Sequence, residues 1–144
     1  MGGAASRLRV LFLCTHNSAR SQMAEGLLRH LAGDRYEAHS AGTEAMQVRP
    51  LAIRTMAELG IDISGQQSKA LQRYVNEPFD AVITVCDDAN EACPVFPGAR
   101  RQLHWSLPDP AKATGTEAEQ LVFYRAVRDA IRGRIEQELL GSRL

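Results

Sequence analysis

Two residues in the stretch CTHNSARS, residues 14–21, have the types and the spacing of a site that binds and attacks an oxyanion. Cys14 follows an apolar run, and Arg20 comes six residues later, where a helical pattern begins. The backbone N–H groups of a short loop, together with the positive end of a helix dipole, form a nest for a tetrahedral anion. The Arg20 guanidinium can grip two oxygens of that anion, and the same positive field favours the nucleophilic thiolate of Cys14. A buried cysteine in an ordinary strand-to-helix turn is the alternative.

The other residues of this loop have predicted supporting roles. Asn17 tolerates the left-handed backbone that a tight loop needs, and its amide can tether the loop to its neighbours. The Ser21 hydroxyl can donate to the Cys14 sulfur, or it can act as a plain helix cap. The residues expected to bind the oxyanion are Thr15, His16, Asn17, Ser18, Ala19, Arg20 and Ser21.

Two further cysteines lie in the second half of the chain. Cys86 ends the apolar run FDAVITVC, and Cys93 follows seven residues later in a polar stretch. An odd number of cysteines without a secretory signal argues against a framework of structural disulfides. Packing, metal ligation and redox reactivity therefore remain open for each thiol. A zinc site formed by Cys14, His16, Cys86 and Cys93 is one alternative, although no Cys-x2-Cys spacing supports it.

Apolar runs alternate with helical patterns along the chain, which is typical of an α/β fold with parallel strands. The patterns predict strands at 7–14, 36–43, 79–86 and 101–107. They predict helices at 21–33, 49–60, 69–77 and 115–140. We therefore expect a four-stranded parallel sheet with helices on both faces. In such sheets ligands bind beyond the carboxyl ends of the strands, and Cys14 and Cys86 each end a strand there.

Length and composition fit one domain and exclude several classes of partner. The chain, 1–144, is expected to have a flexible tail at 1–6 and an α/β domain at 7–140. Its 17 Lys and Arg residues equal its 17 Asp and Glu residues, so its net charge points to neither nucleic acid nor a membrane surface. Reduced thiols without a secretory signal lead us to expect a cytoplasmic protein.

The loop CTHNSARS resembles the Cys-x5-Arg-Ser anion loop of the low-molecular-weight protein tyrosine phosphatases and of the arsenate reductases built on that fold. The resemblance extends from Leu8 to about Leu140. A second landmark of the family is an Asp-Pro pair in a late loop, which LPDPA supplies as Asp109-Pro110. The resemblance implies that Asp109 is the general acid for the leaving oxygen, whereas Asp-Pro as a simple turn is the alternative.

The resemblance leaves two activities open. A tyrosine phosphatase of this fold needs Cys14, Arg20 and Asp109, and it tends to carry an aromatic residue after its Asp-Pro pair, where this chain has Ala111. An arsenate reductase also needs two more thiols. The positions of Cys86 and Cys93 resemble those of the thioredoxin-coupled arsenate reductases.

The resemblance to these reductases implies a relay of disulfides. Cys14 attacks arsenate, Cys86 displaces arsenite from Cys14, and Cys93 then forms a disulfide with Cys86. Thioredoxin is the reductant that the resemblance implies, with glutaredoxin or a small thiol as alternatives. Phosphate and sulfate are expected to compete with arsenate, and the chemistry needs no metal or organic cofactor.

Two departures from the family lead to further expectations. Some relatives bind potassium beside the anion loop with residues that match Glu25 and Ser40, and with an acidic side chain that aligns near Lys69. We expect the Lys69 ammonium to repel or replace this ion and to pair with Glu25. His16 stands where many relatives have glycine, so we expect a formed loop with an altered rim. Trp105 is expected in the core.

Overall fold

Strands and helices alternate along the chain in the computed structural model, which describes residues 7–87 and 94–141. The strands are β1 (Leu8–Cys14), β2 (Tyr36–Gly42), β3 (Phe79–Thr84) and β4 (Ala99–His104). The α-helices are α1 (Arg20–Ala32), α2 (Pro50–Ala57) and α3 (Glu117–Ile135). Shorter helical segments are the 3₁₀ helices Leu71–Tyr74 and Pro110–Lys112 and the π-helix Glu136–Leu140. No helix among the described residues is long and apolar enough to cross a membrane.

The sheet is parallel throughout and has the strand order β2-β1-β3-β4, which confirms the expected fold class. β1 lies in the interior of the sheet because its apolar run can be buried on both faces. Leu11, Phe12 and Leu13 are fully buried, and each such side chain contributes about 1.5–3 kcal/mol of hydrophobic stabilisation. Cys14 ends β1, as predicted, and pairs with Gly42 of β2.

All three α-helices contribute to one apolar cluster on a single face of the sheet, and α1 packs directly on β1 and β2. Their apolar side chains meet Val10 and Phe12 of β1 there, and Trp105 packs against Phe12 with a ring-centroid distance of 5.9 Å, so it is a core residue as predicted. On the other face, Leu11 and Leu13 meet residues that include Tyr74 and Phe96. Helices were expected on this second face too, but in the described part of the chain no α-helical residue joins its apolar cluster. A 3₁₀ helix and the residues around Phe96 cover it instead.

The prediction of a helix at 69–77 is wrong, because only the single 3₁₀ turn Leu71–Tyr74 forms there. Gly42 N–H donates to the Lys69 carbonyl at 2.9 Å, and Ala70 forms a parallel bridge with Gly42. Residues 69 and 70 are therefore held in an extended conformation beside the end of β2. A helix cannot begin at these residues without losing both contacts.

Several element ends also differ from the prediction. β3 stops at Thr84, so Cys86 lies two residues beyond its end instead of ending it. The last strand begins at Ala99, where it pairs with Phe79, and it ends at His104 instead of 107. Beyond β4, Trp105 N–H still donates to the Thr84 carbonyl at 2.8 Å, so the chain continues beside β3 for a short distance.

The helix ends follow local signals. α2 ends at Ala57, and Gly60 (φ +76°) then supplies the left-handed turn that stops it. α3 begins after Thr116, whose side chain forms a capping box with Glu119. The predicted span of 115–140 divides into α3 and the π-helix that follows it.

Candidate active site

The loop between β1 and α1 turns its carbonyl oxygens outward. Backbone N–H groups of residues 44–49 donate to the carbonyl oxygens of Thr15, His16 and Ser18 at 2.8–3.2 Å. In a trans peptide the N–H group points opposite to the carbonyl, so each outward carbonyl turns the next N–H group toward the inside of the loop. The loop therefore presents a concave row of N–H donors, which is the geometry of an anion nest.

The start of α1 adds to this positive surface. Ala19 occupies the position before the helix, no side chain caps it, and the first turn has no acidic residue. The helix begins at Arg20, so Ser21 lies inside its first turn. The alternative that Ser21 is a plain helix cap is therefore wrong. A helix end without a side-chain cap favours an anion, because its first N–H groups and its dipole both attract negative charge.

Asn17 has the left-handed backbone predicted for it, with φ of 50°. Its side chain is fully buried, and its Oδ1 accepts from the Lys69 backbone N–H at 2.8 Å. The same Oδ1 accepts from Gln22 Nε2 of α1 at 2.9 Å. The amide of Asn17 therefore ties the loop both to α1 and to the segment before the 3₁₀ turn, as the sequence suggested.

Gly42 lies directly against the backbone of the loop, a role that was not predicted from the sequence. A Cβ atom at Gly42 would lie 2.6 Å from the Thr15 carbonyl oxygen and 2.8 Å from the Asn17 nitrogen. These are backbone atoms, so they cannot move aside as a flexible side chain would. The sequence did carry a signal for this role. A glycine at the end of a strand often marks a position where another stretch of backbone approaches closely.

Cys14 is a free thiol at the base of the loop, and only 2% of its surface is exposed. Ser21 Oγ lies 2.8 Å from the Cys14 sulfur, which confirms the predicted proximity. Asn17 Nδ2 donates to the same hydroxyl oxygen at 2.7 Å. A hydroxyl held between an amide donor and the sulfur can stabilise negative charge on that sulfur.

Arg20 and Asp109 lie together at the other side of the loop. The Arg20 guanidinium is almost fully buried, donates from Nη1 to the Leu107 carbonyl at 3.1 Å, and has Nη2 3.7 Å from Asp109 Oδ2. Asp109 Oδ1 accepts from the Ala111 backbone N–H at 2.9 Å. This leaves Oδ2 directed toward the guanidinium, where a bound anion would also lie. The role of Leu107 was not visible in the sequence, because a carbonyl can come from any residue.

The second cysteine lies at the same edge of the sheet as the first. Val85 N–H donates to the Leu13 carbonyl at 2.8 Å, and Cys86 and Cys14 are the residues that follow these two. Cys86 is fully buried and disulfide-bonded. Its carbonyl accepts from the Leu107 N–H at 3.4 Å, so the residue that holds Arg20 also contacts Cys86. Cys93 lies outside the described residues.

A buried carboxylate, Glu25, forms the centre of a polar cluster behind the loop. It accepts from Ser40 Oγ at 2.5 Å and from Arg29 at 2.7 Å, and Lys69 Nζ lies 3.5 Å away. The expected pairing of Lys69 with Glu25 is therefore confirmed. Burial lowers the pKa of Lys69, and the Glu25 carboxylate opposes this shift, so the carboxylate favours the charged ammonium.

His16 lies at the rim of the loop. Its side chain is about one-third exposed (35%), and Nε2 lies 3.5 Å from Glu44. Within residues 7–87 and 94–141, no group of three or more His, Cys, Asp or Glu side chains is arranged to hold a metal ion. The zinc alternative includes Cys93 and so involves a residue outside those ranges.

The chain matches known proteins over nearly its whole length. Residues 9–142 match the family model described as low molecular weight phosphotyrosine protein phosphatase. The chain belongs to this family. It is 45% identical over 127 residues to an arsenate reductase of Halalkalibacterium halodurans, covering 88% of this chain and 91% of the relative.

Solved structures give the same picture of the fold. A structure of an arsenate reductase in the phosphate-binding state has a TM-score of 0.80 at 34% identity and covers 93% of this chain and 98% of the other. A thioredoxin-dependent arsenate reductase of Corynebacterium glutamicum has a TM-score of 0.67 at 32% identity. That match covers 97% of this chain and 66% of the other.

Gly42→Ala should weaken the binding of inorganic phosphate by about tenfold or more, because overpacking against backbone costs about 1–3 kcal/mol and displaces the loop. Isothermal titration of phosphate into both proteins measures the effect. Gly65→Ala is the matched control, because a Cβ at Gly65 meets no atom within 4 Å. Equal phosphate affinity in Gly42→Ala and in the parent protein would contradict the proposed support of the loop.

Potassium should have no specific effect on this protein, because Lys69 and Arg29 already contact the Glu25 carboxylate. An ion bound to the folded state would raise the melting temperature. We expect equal melting temperatures, and equal activity, in potassium chloride and in sodium chloride at the same ionic strength. Marked stabilisation or activation by potassium alone would show that an ion displaces Lys69.

Proposed function

We propose that this protein is an arsenate reductase that works through a relay of three cysteines. The observation that carries the proposal is the placement of a free thiol, Cys14, in an anion loop beside the oxidised Cys86. A phosphatase mechanism gives no task to a second thiol at that edge. The 45% identity to an arsenate reductase of Halalkalibacterium halodurans supports the same conclusion.

The first step is nucleophilic attack on bound arsenate. The inward N–H groups of the loop and the Arg20 guanidinium hold the oxyanion, and the Cys14 thiolate attacks arsenic. Asp109 gives a proton to the departing oxygen, which leaves as water. The result is an arseno-cysteine in which arsenic is still pentavalent.

The second step reduces the arsenic. The Cys86 thiolate attacks the Cys14 sulfur, and the sulfur–arsenic bond breaks with its electron pair remaining on arsenic. Arsenite leaves, and a Cys14–Cys86 disulfide holds the oxidised sulfurs. Two thiols have then lost the two electrons that arsenic gained.

The third step restores Cys14. Cys93 attacks Cys86, which frees the Cys14 thiol and moves the disulfide to the Cys86–Cys93 pair. A free Cys14 beside an oxidised Cys86 is the oxidation pattern that this step leaves. We propose thioredoxin as the reductant of this disulfide, and the thioredoxin-dependent relative in Corynebacterium glutamicum supports that choice. Such a cycle needs a reducing compartment, so we expect it in the cytoplasm.

Arsenate and phosphate have the same tetrahedral shape, so the loop should accept both anions. The family name and the arrangement of Cys14, Arg20 and Asp109 make phosphatase activity the alternative. Ala111 follows the Asp109-Pro110 pair and presents only a methyl group, which offers little surface for an aromatic ring. We therefore expect only weak hydrolysis of aryl phosphates.

Asp109→Asn should lower arsenate turnover by roughly 10²–10⁴-fold, which is the usual contribution of a general acid. Asparagine keeps an oxygen that can accept from the Ala111 N–H, so the loop should persist and phosphate should still bind. Asp34→Asn is the control, because Asp34 is exposed and lies just before β2, away from the carboxyl ends of the strands. Unchanged turnover in Asp109→Asn would leave Asp109 with a structural role only.

Cys86→Ser and Cys93→Ser should stop the cycle at different points. Cys86→Ser should bind phosphate normally but release no arsenite, because no thiol displaces the arseno-cysteine. Cys93→Ser should release about one arsenite per enzyme and then stop as a Cys14–Cys86 disulfide. The measurement is single-turnover arsenite release, followed by peptide mapping under non-reducing conditions.

The parent protein supplies the control for this experiment. After one turnover without thioredoxin it should contain a Cys86–Cys93 disulfide and a free Cys14. Normal steady-state turnover of both serine variants with thioredoxin would refute the relay. Strong aryl phosphate hydrolysis without arsenate turnover would favour the phosphatase instead.

A further inference from the structure

A line of side-chain hydrogen bonds runs from the protein surface to the Cys14 sulfur. Gln66 Nε2 donates to Gln22 Oε1 at 2.7 Å, and Gln22 Nε2 donates to Asn17 Oδ1 at 2.9 Å. Asn17 Nδ2 donates to Ser21 Oγ at 2.7 Å, and Ser21 Oγ lies 2.8 Å from the Cys14 sulfur. In each of the three amide steps, an N–H group of one side chain meets an oxygen of the next.

Backbone groups fix the direction of this line. A side-chain amide can be turned by half a rotation, but a backbone N–H can only donate and a backbone carbonyl can only accept. The Lys69 N–H contacts the Asn17 oxygen at 2.8 Å, so the Asn17 nitrogen must face the other way. The carbonyls of Gln67 and Gln22 accept from Gln22 Nε2 and from Gln66 Nε2, at 2.9 and 3.1 Å. No amide in the line can turn without losing a backbone partner.

This fixed direction decides what the last hydroxyl does. Ser21 Oγ accepts from Asn17, and in the described part of the chain its only other side-chain partner is Cys14. The single Ser21 proton is therefore directed at the sulfur. A hydrogen bond to the charged form of a group stabilises that form, so this contact favours the Cys14 thiolate.

We propose that Gln22 and Gln66 are positioning residues that hold the Ser21 hydroxyl as a donor to Cys14. Neither glutamine contacts the anion loop's sulfur, and each acts through the next amide in the line. Successive hydrogen bonds polarise one another, so loss of an outer amide weakens the contact at the sulfur. The inference rests on Cys14 being the nucleophile, but it does not require that arsenate is the substrate.

The outer end of the line carries a positive charge and can be altered without disturbing the core. Arg29 Nη1 donates to Gln66 Oε1 at 3.2 Å, which polarises the first amide. Gln66 and Arg29 line an open surface cavity of about 210 Å³. Gln22, in contrast, is fully buried. Gln66 is therefore the better position for a substitution that must leave the protein folded.

The test is the pH dependence of Cys14 alkylation by iodoacetamide, which reports the thiolate. Tryptic peptide 10–20 contains Cys14 and no other cysteine, so mass spectrometry follows this thiol alone. Gln66→Met should move the midpoint of the profile up by about 0.1–0.6 pH unit, because each hydrogen bond in such a line strengthens the next by about 10–30%. Gln67→Met is the matched control and should not move it, because only the backbone carbonyl of Gln67 takes part.

The same substitution in a Ser21→Ala protein shows whether Gln66 acts by positioning the Ser21 hydroxyl or by a general effect on the loop. If Gln66 acts through the serine hydroxyl, Gln66→Met should have no further effect in a Ser21→Ala protein, whose midpoint is already raised. An equal shift in both backgrounds, or no shift in Gln66→Met alone, would overturn the proposal. Alkylation needs no turnover, so a shift of the expected kind in a protein that fails to reduce arsenate would refute the proposed function and leave this inference intact.

Discussion

The outward turn of the carbonyls between Cys14 and Arg20 is the constraint on which the rest of the site depends. Backbone N–H groups of residues 44–49 hold these oxygens, and the buried Asn17 side chain adds a second set of ties. The His16 side chain takes no part in these contacts, so it can occupy the rim without altering the nest. It also explains why Gly42 must lack a side chain, because the loop rests directly on it.

Charge at the site is balanced by groups that are already in place before an anion arrives. The buried Arg20 guanidinium is held by the Leu107 carbonyl and faces Asp109. Behind the loop, Glu25 accepts from Ser40 and faces two cations, which is the reason that we expect no added ion there. A preorganised arrangement of this kind binds a tetrahedral oxyanion with little rearrangement of the protein, because its donors already point inward.

The proposed redox chemistry depends on the sheet more than on the loop. Parallel pairing of β1 with β3 brings Cys86 to the edge at which Cys14 ends its strand. Leu107 contacts the backbone of Cys86 and also holds Arg20, so the segment after β4 connects the proposed second thiol to the anion site. The topology therefore brings a second cysteine to a loop that, by itself, could only bind and transfer an oxyanion.

The sequence by itself determined the features that depend on neighbouring residues. The apolar run of β1, the spacing from Cys14 to Arg20, the left-handed Asn17 and the capping box of α3 all arise from local geometry. Tertiary structure decided the features that depend on distant residues. It made residues 69 and 70 extended and left only a 3₁₀ turn of the helix expected at 69–77, because Gly42 and Asn17 take the backbone of Lys69 as a partner.

The same distinction applies within the site. The residue types that could attack an oxyanion were visible in one short stretch, because a strand, a loop and a helix follow one another there. The carbonyl of Leu107, the bare surface of Gly42 and the amide line from Gln66 were not visible. Each of them acts through backbone atoms or through common polar side chains, and only the folding of the chain brings those atoms to the loop.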